Sequence, residues 1–301
     1  MSVEQLNADF GILGQLEFVV DNGGLVFADM KAGQASARVS TYAGQVLSYK
    51  PSDTDRDVLF LSEKAYYADG KAIKGGVPVC WPWFGPDPLD EGRPGHGYVR
   101  NRQWQVTDSE ALGDGGVRLL MSPIVDDSEE VVGGNRLGLS IQIDLGRALD
   151  IRLVSSNLGD EPVIITQALH TYFSIGDINN TGVHGLEGTS YIDKMDNGAE
   201  KPQDAEVVVQ GEVDRIYTHV PHELVIDDEE HNRRIHIRSM GSDSAVVWNP
   251  WKATAQGMAD LGDKDYKRMI CVETCNAGPD IVKLAPGEEH TLAANISIEK
   301  G

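Results

Sequence analysis

The sequence contains little cysteine, and it lacks both a long apolar run and a basic, hydrophobic leader. Three cysteines occur among 301 residues, namely Cys80, Cys271 and Cys275. An odd, low count argues against a disulfide framework and fits a reducing compartment. No run of about 18 apolar residues is present, which argues against a membrane span. The opening residues MSVEQLNADFG carry no secretory pattern. We therefore expect a cytoplasmic protein.

Basic residues are also scarce relative to acidic ones. The chain has 26 lysines and arginines against 47 aspartates and glutamates, a formal charge of −21. Such a surface repels nucleic acid and anionic membranes, so we expect neither as a partner. An anionic small molecule is still compatible with this charge. It would require a local basic pocket to hold it.

Long helical periodicity is missing, whereas short alternating segments separated by turns are frequent. Residues 139–145 and 149–153 alternate on either side of Gly146-Arg147, which predicts a hairpin. Further strands are predicted at 16–20, 115–121, 205–209, 233–240, 245–249, 269–275 and 290–298. Many short strands in one chain favour an all-β sandwich, mostly antiparallel, over a parallel α/β sheet. We expect a single domain over residues 1–301.

Helix and loop signals are few. Ser2 with Gln5 resembles a capping arrangement that opens a short N-terminal helix. Residues 257–268 could form one short helix around Met258, Leu261 and Tyr266. The acidic segments Val125 to Gly134 and Asp227 to Glu230 are predicted to be solvated turns.

No nucleophile elbow, Walker loop or dinucleotide fingerprint is present, so the candidate chemistry lies elsewhere. The segment from Gly75 to Arg102 is too rich in proline and glycine for regular structure. It carries Trp81, His96 and Arg100, a combination typical of ligand loops on β scaffolds. The same tryptophans could instead pack over one end of a sandwich.

Three other segments carry candidate polar groups or aromatics. His170 lies near the end of a predicted strand, where a histidine is more often structural. Glu273 interrupts an apolar strand, and burial there would raise its pKa and make it a plausible base. An outward-facing glutamate on an amphipathic strand is the alternative. Trp248 and Trp251 flank an Asn-Pro turn and suit either sugar stacking or a core corner.

Several of these segments together resemble one known family. They are Ala72 to Pro86 (AIKGGVPVCWPWFGP), His96 to Asn101 (HGYVRN), Ala168 to Phe173 (ALHTYF), Asp214 to Tyr217 (DRIY), Cys271 to Thr274 (CVET) and Leu284 to Glu288 (LAPGE). In this order they are similar to the hexose-6-phosphate mutarotases, also called glucose-6-phosphate 1-epimerases, of the aldose 1-epimerase superfamily. The resemblance extends from about residue 72 to 298.

The resemblance implies a galactose mutarotase-like β-supersandwich and a set of site residues. His170 would be the general acid and Glu273 the general base, with His170 protonated and Glu273 ionised. The expected substrate contacts are Lys74, His96, Arg100, Asp214, Trp81 and Trp248. Lys74 occupies a position where the family usually has arginine, and a lysine cannot form the bidentate fork to phosphate. Arg102 is a candidate to compensate.

The implied reaction is interconversion of the α and β anomers of a D-hexose 6-phosphate, most simply glucose 6-phosphate. We expect no cofactor and no metal, a small-molecule sugar phosphate as the partner, and a monomer. Three alternatives stay open on the residues alone. They are a non-catalytic sugar-phosphate-binding sandwich, a metal site built from His96, His170 and Glu273, and a glycosidase that uses Glu273 with Asp214.

Overall fold

The computed structural model describes residues 1–52, 54, 56–124 and 136–301. Strands dominate these ranges, and every pairing between their strands is antiparallel. This confirms the predicted fold class. The acidic segment Val125 to Gly134 lies wholly inside 125–135, outside the described residues, and the single-domain assignment stays a prediction.

The strands, numbered in chain order, form four sheets. A four-stranded sheet has the order β1-β2-β3-β4: β1 Leu16–Val20, β2 Val26–Ala32, β3 Ala35–Ser40 and β4 Gln45–Lys50. A two-stranded sheet pairs β10 Val163–Ile165 with β22 Val282–Leu284.

Two large sheets make up most of the molecule. The eight-stranded sheet contains β5 Val79–Cys80, β11 Gln167–Leu169, β12 Tyr172–Ser174, β14 Ser190–Asp193, β15 Ala199–Pro202, β17 Val213–Thr218, β20 Ser244–Asn249 and β21 Met269–Asn276. Its order is β15-β14-β17-β20-β21-β11-β5, and β12 also pairs with β21.

The nine-stranded sheet has the order β16-β13-β18-β19-β23-β9-β8-β7-β6. Its strands are β6 Trp104–Ala111, β7 Val117–Pro123, β8 Leu137–Leu145, β9 Leu149–Asn157, β13 Thr181–His184, β16 Val207–Val208, β18 Glu223–Asp228, β19 Arg233–Met240 and β23 Glu289–Lys300. The predicted hairpin is confirmed, with Leu145 paired to Leu149.

The main core lies between the two large sheets. The nine-stranded sheet contributes Ile141, Ile143 and Leu153 to it, and the eight-stranded sheet contributes Val247 and Val272. Because successive side chains of a strand point to opposite faces, the eight-stranded sheet has a second face turned away from this core. The candidate site lies on that second face.

The short N-terminal helix is confirmed, but the predicted helix at 257–268 is wrong. Helix α1 is Val3–Phe10, and Ser2 Oγ accepts a hydrogen bond from Gln5 N. Helix α2 is Trp251–Gly257, directly after Pro250, where proline's fixed φ favours a helix start. Residue 258 is already extended, and Asp265 accepts from Gly262 N at 2.8 Å, which holds 262–265 in a turn instead.

The acidic tip at 227–230 also differs from the prediction, because Asp228 is fully buried. Its Oδ2 lies 2.9 Å from Arg233 Nε and 2.8 Å from His231 Nδ1, and its Oδ1 accepts from Gly176 N. A carboxylate paired in this way can be buried without a large penalty.

Among the described residues, neither helix combines the length and apolarity needed to span a bilayer.

Candidate active site

Strand β21 is buried along its whole length and presents a carboxylate on its outer face. Ile270 and Val272 point into the main core, whereas Cys271 packs in a separate cluster on the opposite face. Glu273 follows Cys271 by two residues and therefore shares its face. Its side chain is 1% exposed. The predicted alternative, a glutamate on the solvated face of an amphipathic strand, is thus excluded.

His170 lies directly across from Glu273. The pairings Leu169 with Thr274 and Tyr172 with Cys271 set this register. His170 Nδ1 is 3.3 Å from Glu273 Oε1, although the geometry is not that of a hydrogen bond. Within the described chain, His170 Nδ1 and Glu273 Oε2 are buried and have no hydrogen-bond partner. Such orphaned polar atoms are unusual in a folded protein and indicate a ligand site.

Burial decides the protonation state of this pair. It raises the pKa of the Glu273 carboxyl well above its ordinary value, and nearby Asp214 raises it further. It lowers the pKa of the His170 imidazole, as do the charges of Arg100 and Lys74. Both directions favour a proton on Glu273 and a neutral imidazole on His170. They are opposite to the expected pairing of an ionised Glu273 with a protonated His170, which stays a prediction for the reacting site.

Aromatic rings frame the His170 imidazole. Tyr172 stacks on it with ring centroids 5.0 Å apart and planes 9° apart. Trp248 meets it edge-on at 6.2 Å, and His96 does so at 5.7 Å. Trp248 therefore lies beside His170, and its role as a substrate contact stays a prediction. The other predicted tryptophan, Trp81, is instead 1% exposed and donates its indole N–H to Ser155 Oγ in the core.

His96 is positioned by a tight loop with unusual backbone geometry. Its φ is +64°, a region that non-glycine residues rarely occupy and that often marks functional sites. The next residue must be glycine, because a Cβ on Gly97 would lie 1.8 Å from Trp81 O. Gly85 N donates to His96 Nδ1 at 3.4 Å, so Nε2 carries the proton. Burial and nearby cations lower the pKa of His96 to about 3.

Three cations lie close enough to act electrostatically on this histidine. The charges of Arg100, Lys194 and Lys74 all contribute to its lowered pKa. Arg100 donates to Gly95 O at 2.9 Å and keeps its buried Nε free of any hydrogen bond within the described residues. The chain therefore brings three cations together despite its overall negative charge, and we call Lys74, Arg100 and Lys194 the basic pocket.

Two of these cations are paired with carboxylates. Lys74 Nζ is 3.5 Å from Asp260 Oδ2, and Lys194 Nζ is 2.8 Å from Asp214 Oδ2. Lys194 and Asp260 were not predicted from the sequence. Lys194 lies in a single 3-10 turn, Lys194–Asp196, which has no motif that would distinguish it from any surface lysine.

Arg102 turns away from the group around His170. Its guanidinium stacks over the ring of Tyr98 at 4.9 Å. It lines a separate cavity with Asp69, Pro94 and Gln103. Arg102 is therefore not placed to replace the arginine that the family usually has at position 74.

The thiol of Cys271 is a third potential metal ligand beside His170 and Glu273. One ligand atom each from His170, Cys271 and Glu273 lies within 4.8 Å of the others. The metal set considered from the sequence had His96 in place of Cys271. Among the described residues, His96 is not part of the cluster of potential metal ligands.

Comparison with known proteins first defines the class of fold. A solved structure from Salmonella typhimurium, provisionally described as a mutarotase, superimposes with a TM-score of 0.88 at 28% identity, covering 99% of both chains. A galactose mutarotase-like protein from Clostridium acetobutylicum superimposes with a TM-score of 0.74 at 15% identity, covering 98% of this chain and 100% of that one. The fold is thus galactose mutarotase-like.

The sequence then defines the family. The aldose 1-epimerase family model matches residues 28–297, so the chain belongs to that family of sugar anomer isomerases. A protein of Cenchrus ciliaris is 35% identical over 269 residues, which are 86% of this chain and 80% of that protein. One of Escherichia coli is 34% identical over 268 residues, covering 89% and 88%. Both are provisionally named glucose-6-phosphate 1-epimerase.

Proposed function

We propose that the protein interconverts the α and β anomers of a D-hexose 6-phosphate, with glucose 6-phosphate as the first candidate. The observation that carries this proposal is the pair of His170 and Glu273, 3.3 Å apart beside the basic pocket. The pair can transfer the protons that ring opening requires, and the cations can bind the phosphate. The provisional names of the two relatives agree with this substrate.

The proposed reaction divides the two proton transfers between these residues. Glu273 removes the proton of the anomeric hydroxyl, and His170 gives a proton to the ring oxygen. The C1–O5 bond breaks, an aldehyde forms, rotation about C1–C2 exposes its other face, and the steps reverse. General acid and general base catalysis each contribute roughly 10²–10⁴ in rate.

Substrate binding prepares the pair for this chemistry. Burial favours a proton on Glu273 over one on His170, whereas the proposed reaction begins with the proton on His170. The charges of Lys74 and Arg100 contribute to the low pKa of His170. A phosphate bound to these cations would offset their charge and raise that pKa. The proton then moves across a gap of 3.3 Å without uptake from solvent.

The remaining groups are proposed to hold the sugar. Trp248 offers an apolar ring surface beside His170, and His96 offers its Nε2 proton as a hydrogen-bond donor. Asp214 would accept from sugar hydroxyls, and Lys194 lies 2.8 Å from it. Lys74 and Arg100 would bind the phosphate as charges, since a lysine binds as a point charge rather than as a fork.

The proposal is tested by anomer exchange measured by NMR, starting from α-glucose 6-phosphate, with glucose in parallel and the spontaneous rate subtracted. We expect acceleration of the phosphorylated sugar with a clear preference over glucose, because both the binding and the proton position depend on the phosphate. Binding of the sugar phosphate without any acceleration would instead support the non-catalytic sugar-binding alternative.

A pair of lysine variants provides the control for the phosphate pocket. Lys74→Ala should raise KM for glucose 6-phosphate by about tenfold, the effect of one hydrogen bond to a charged group, and should change glucose turnover little. Lys71→Ala, three residues away and exposed, should behave as the unmodified protein. If Lys74→Ala affected KM for both sugars equally, Lys74 would not be a phosphate contact.

A further inference from the structure

A thiol lies beside the proton-transfer pair on the outer face of β21. The ligand atoms of His170, Cys271 and Glu273 fall within 4.8 Å of one another. His170 Nδ1 and Glu273 Oε1 are 3.3 Å apart, which matches the spacing of neighbouring ligands around a tetrahedral ion. We propose that these three side chains form a binding site for a thiophilic divalent cation of the Zn²⁺ class, which inhibits the enzyme reversibly.

Unused coordination capacity supports this site. His170 Nδ1 and Glu273 Oε2 are buried and make no hydrogen bond within the described chain. Cys271 is a free, fully buried cysteine. A metal ion would supply each of these atoms with a partner, at the modest displacements that bring ligands to about 2.0–2.3 Å.

The donor set also defines which ions fit. One thiolate, one imidazole and one carboxylate form a mixed soft and borderline set, which suits Zn²⁺ or Cd²⁺ and disfavours Mg²⁺ or Ca²⁺. A thiolate and a carboxylate balance the two positive charges, so the bound site buries no net charge. Three protein ligands leave a fourth position to water or another small ligand.

Occupation of this site and catalysis are mutually exclusive. A lone pair of His170 Nδ1 or Glu273 that binds a metal is not available to accept or pass a proton. Binding releases the proton of the Cys271 thiol, and that of the Glu273 carboxyl where it is protonated, to solvent. The cation would therefore act as an inhibitor and not as a cofactor. The inhibition depends on the proposed function, whereas binding does not.

Cysteine variants test the site directly, since a cadmium–thiolate bond has its own ultraviolet charge-transfer absorption. The protein is titrated with Cd²⁺, and the same samples are assayed for anomer exchange with Zn²⁺ and with Mg²⁺. Cys275→Ala is the matched control, because Cys275 is another buried thiol on the same face of β21. Cys271→Ser preserves the size of the side chain if Cys271→Ala folds poorly.

We expect the cadmium band in the unmodified protein and in Cys275→Ala, and its loss in both Cys271 variants. Zn²⁺ should inhibit the first two, relative to each protein's own rate, at concentrations at least about tenfold lower than the Cys271 variants require. Mg²⁺ should inhibit none. A band that survives in the Cys271 variants, or Zn²⁺ inhibition that is equal in all four proteins, would overturn the proposal.

This design distinguishes a failure of the proposed metal site from a failure of the proposed anomer exchange. A protein without anomer exchange that still shows a Cys271-dependent cadmium band retains the metal site and refutes the proposed reaction. An active protein without the band refutes the metal site. The surface histidines His184 and His236, each beside two glutamates, could bind Zn²⁺, but they cannot produce a thiolate band.

Discussion

Glu273 is a buried acid whose surroundings oppose its ionisation. Its carboxyl is 1% exposed, Oε2 has no hydrogen-bond partner among the described residues, and the charge of Asp214 disfavours a second negative charge. Lys194 and Arg100 act in the opposite direction but more weakly than burial. A residue held in this way costs stability at neutral pH, as is common at functional positions.

Glu273→Gln should abolish anomer exchange and at the same time stabilise the fold. The folded protein keeps the Glu273 proton at pH values where the unfolded chain, with its pKa near 4.5, has lost it. Stability therefore falls as pH rises above the unfolded value, by up to about 1.4 kcal/mol per pH unit for this one group. Glutamine has nearly the same shape and does not titrate, so the variant avoids this loss.

Urea unfolding of both proteins at about pH 5 and pH 7 measures the effect. The stability advantage of the variant should be larger at the higher pH. An advantage that is the same at both values would mean that Glu273 is already ionised in the folded state. Substantial remaining turnover would exclude Glu273 as the base.

For single residues, the sequence predicts which residues are candidates for the site better than it predicts where their side chains point. His170, Glu273 and His96 could be singled out because their motifs together are specific, whereas Trp248 stood out only as one of two tryptophans around an Asn-Pro turn. The burial of Trp81 could not, since a Pro- and Gly-rich loop has no periodicity from which a side-chain direction follows. Lys194 was missed for another reason, because its pairing with Asp214 joins the 3-10 turn after β14 to strand β17, and these two elements are neighbours only through the order of the sheet.

At the scale of elements, the loop before His96 is closed by a single carboxylate. Asp87 pairs with Arg93 and accepts from the backbone N–H groups of Leu89, Glu91 and Arg93. The Arg93 guanidinium also lies 4.4 Å from the ring centre of Trp83. These contacts keep the pKa of Asp87 well below its ordinary value. The loop thus has a fixed shape without any strand or helix.

Asp87→Asn should loosen this loop and reduce activity through the position of His96. The amide keeps one acceptor but loses the charge that holds Arg93, so backbone amides in 87–93 should exchange hydrogen faster. We expect kcat/KM to fall several-fold while the global unfolding midpoint changes little. Asp90→Asn, an exposed position in the same loop, is the control. Unchanged exchange in 87–93 would contradict the prediction.

Elements with strong alternation were the most predictable. Strand β19 is Arg233–Met240, as its pattern indicated, because one face of the sheet is buried and the other is solvated. The helix near residue 257 was placed too late in the chain. Its actual start follows Pro250 and a local turn in which Asn249 Oδ1 accepts from Trp251 N, and this turn outweighs the apolar pattern further along.

For the molecule as a whole, the net charge of −21 opposes the approach of a sugar phosphate. The basic pocket must therefore act against the field of the rest of the protein. These two contributions differ in range, because the field extends over tens of ångströms, whereas Lys74 and Arg100 act at contact distance. Salt screens the long-range part first, since the Debye length falls from about 30 Å at 0.01 M to about 8 Å at 0.15 M.

Raising the ionic strength from about 0.01 M to about 0.15 M should increase kcat/KM for glucose 6-phosphate by about twofold to tenfold, because relief of long-range repulsion speeds association. Glucose carries no charge, so its kcat/KM should stay constant, and it serves as the internal control for any effect of salt on the fold. A decrease for the phosphate sugar would mean that the pocket already dominates the field at a distance. Because two of the pocket's three cations are paired with carboxylates, we expect the increase.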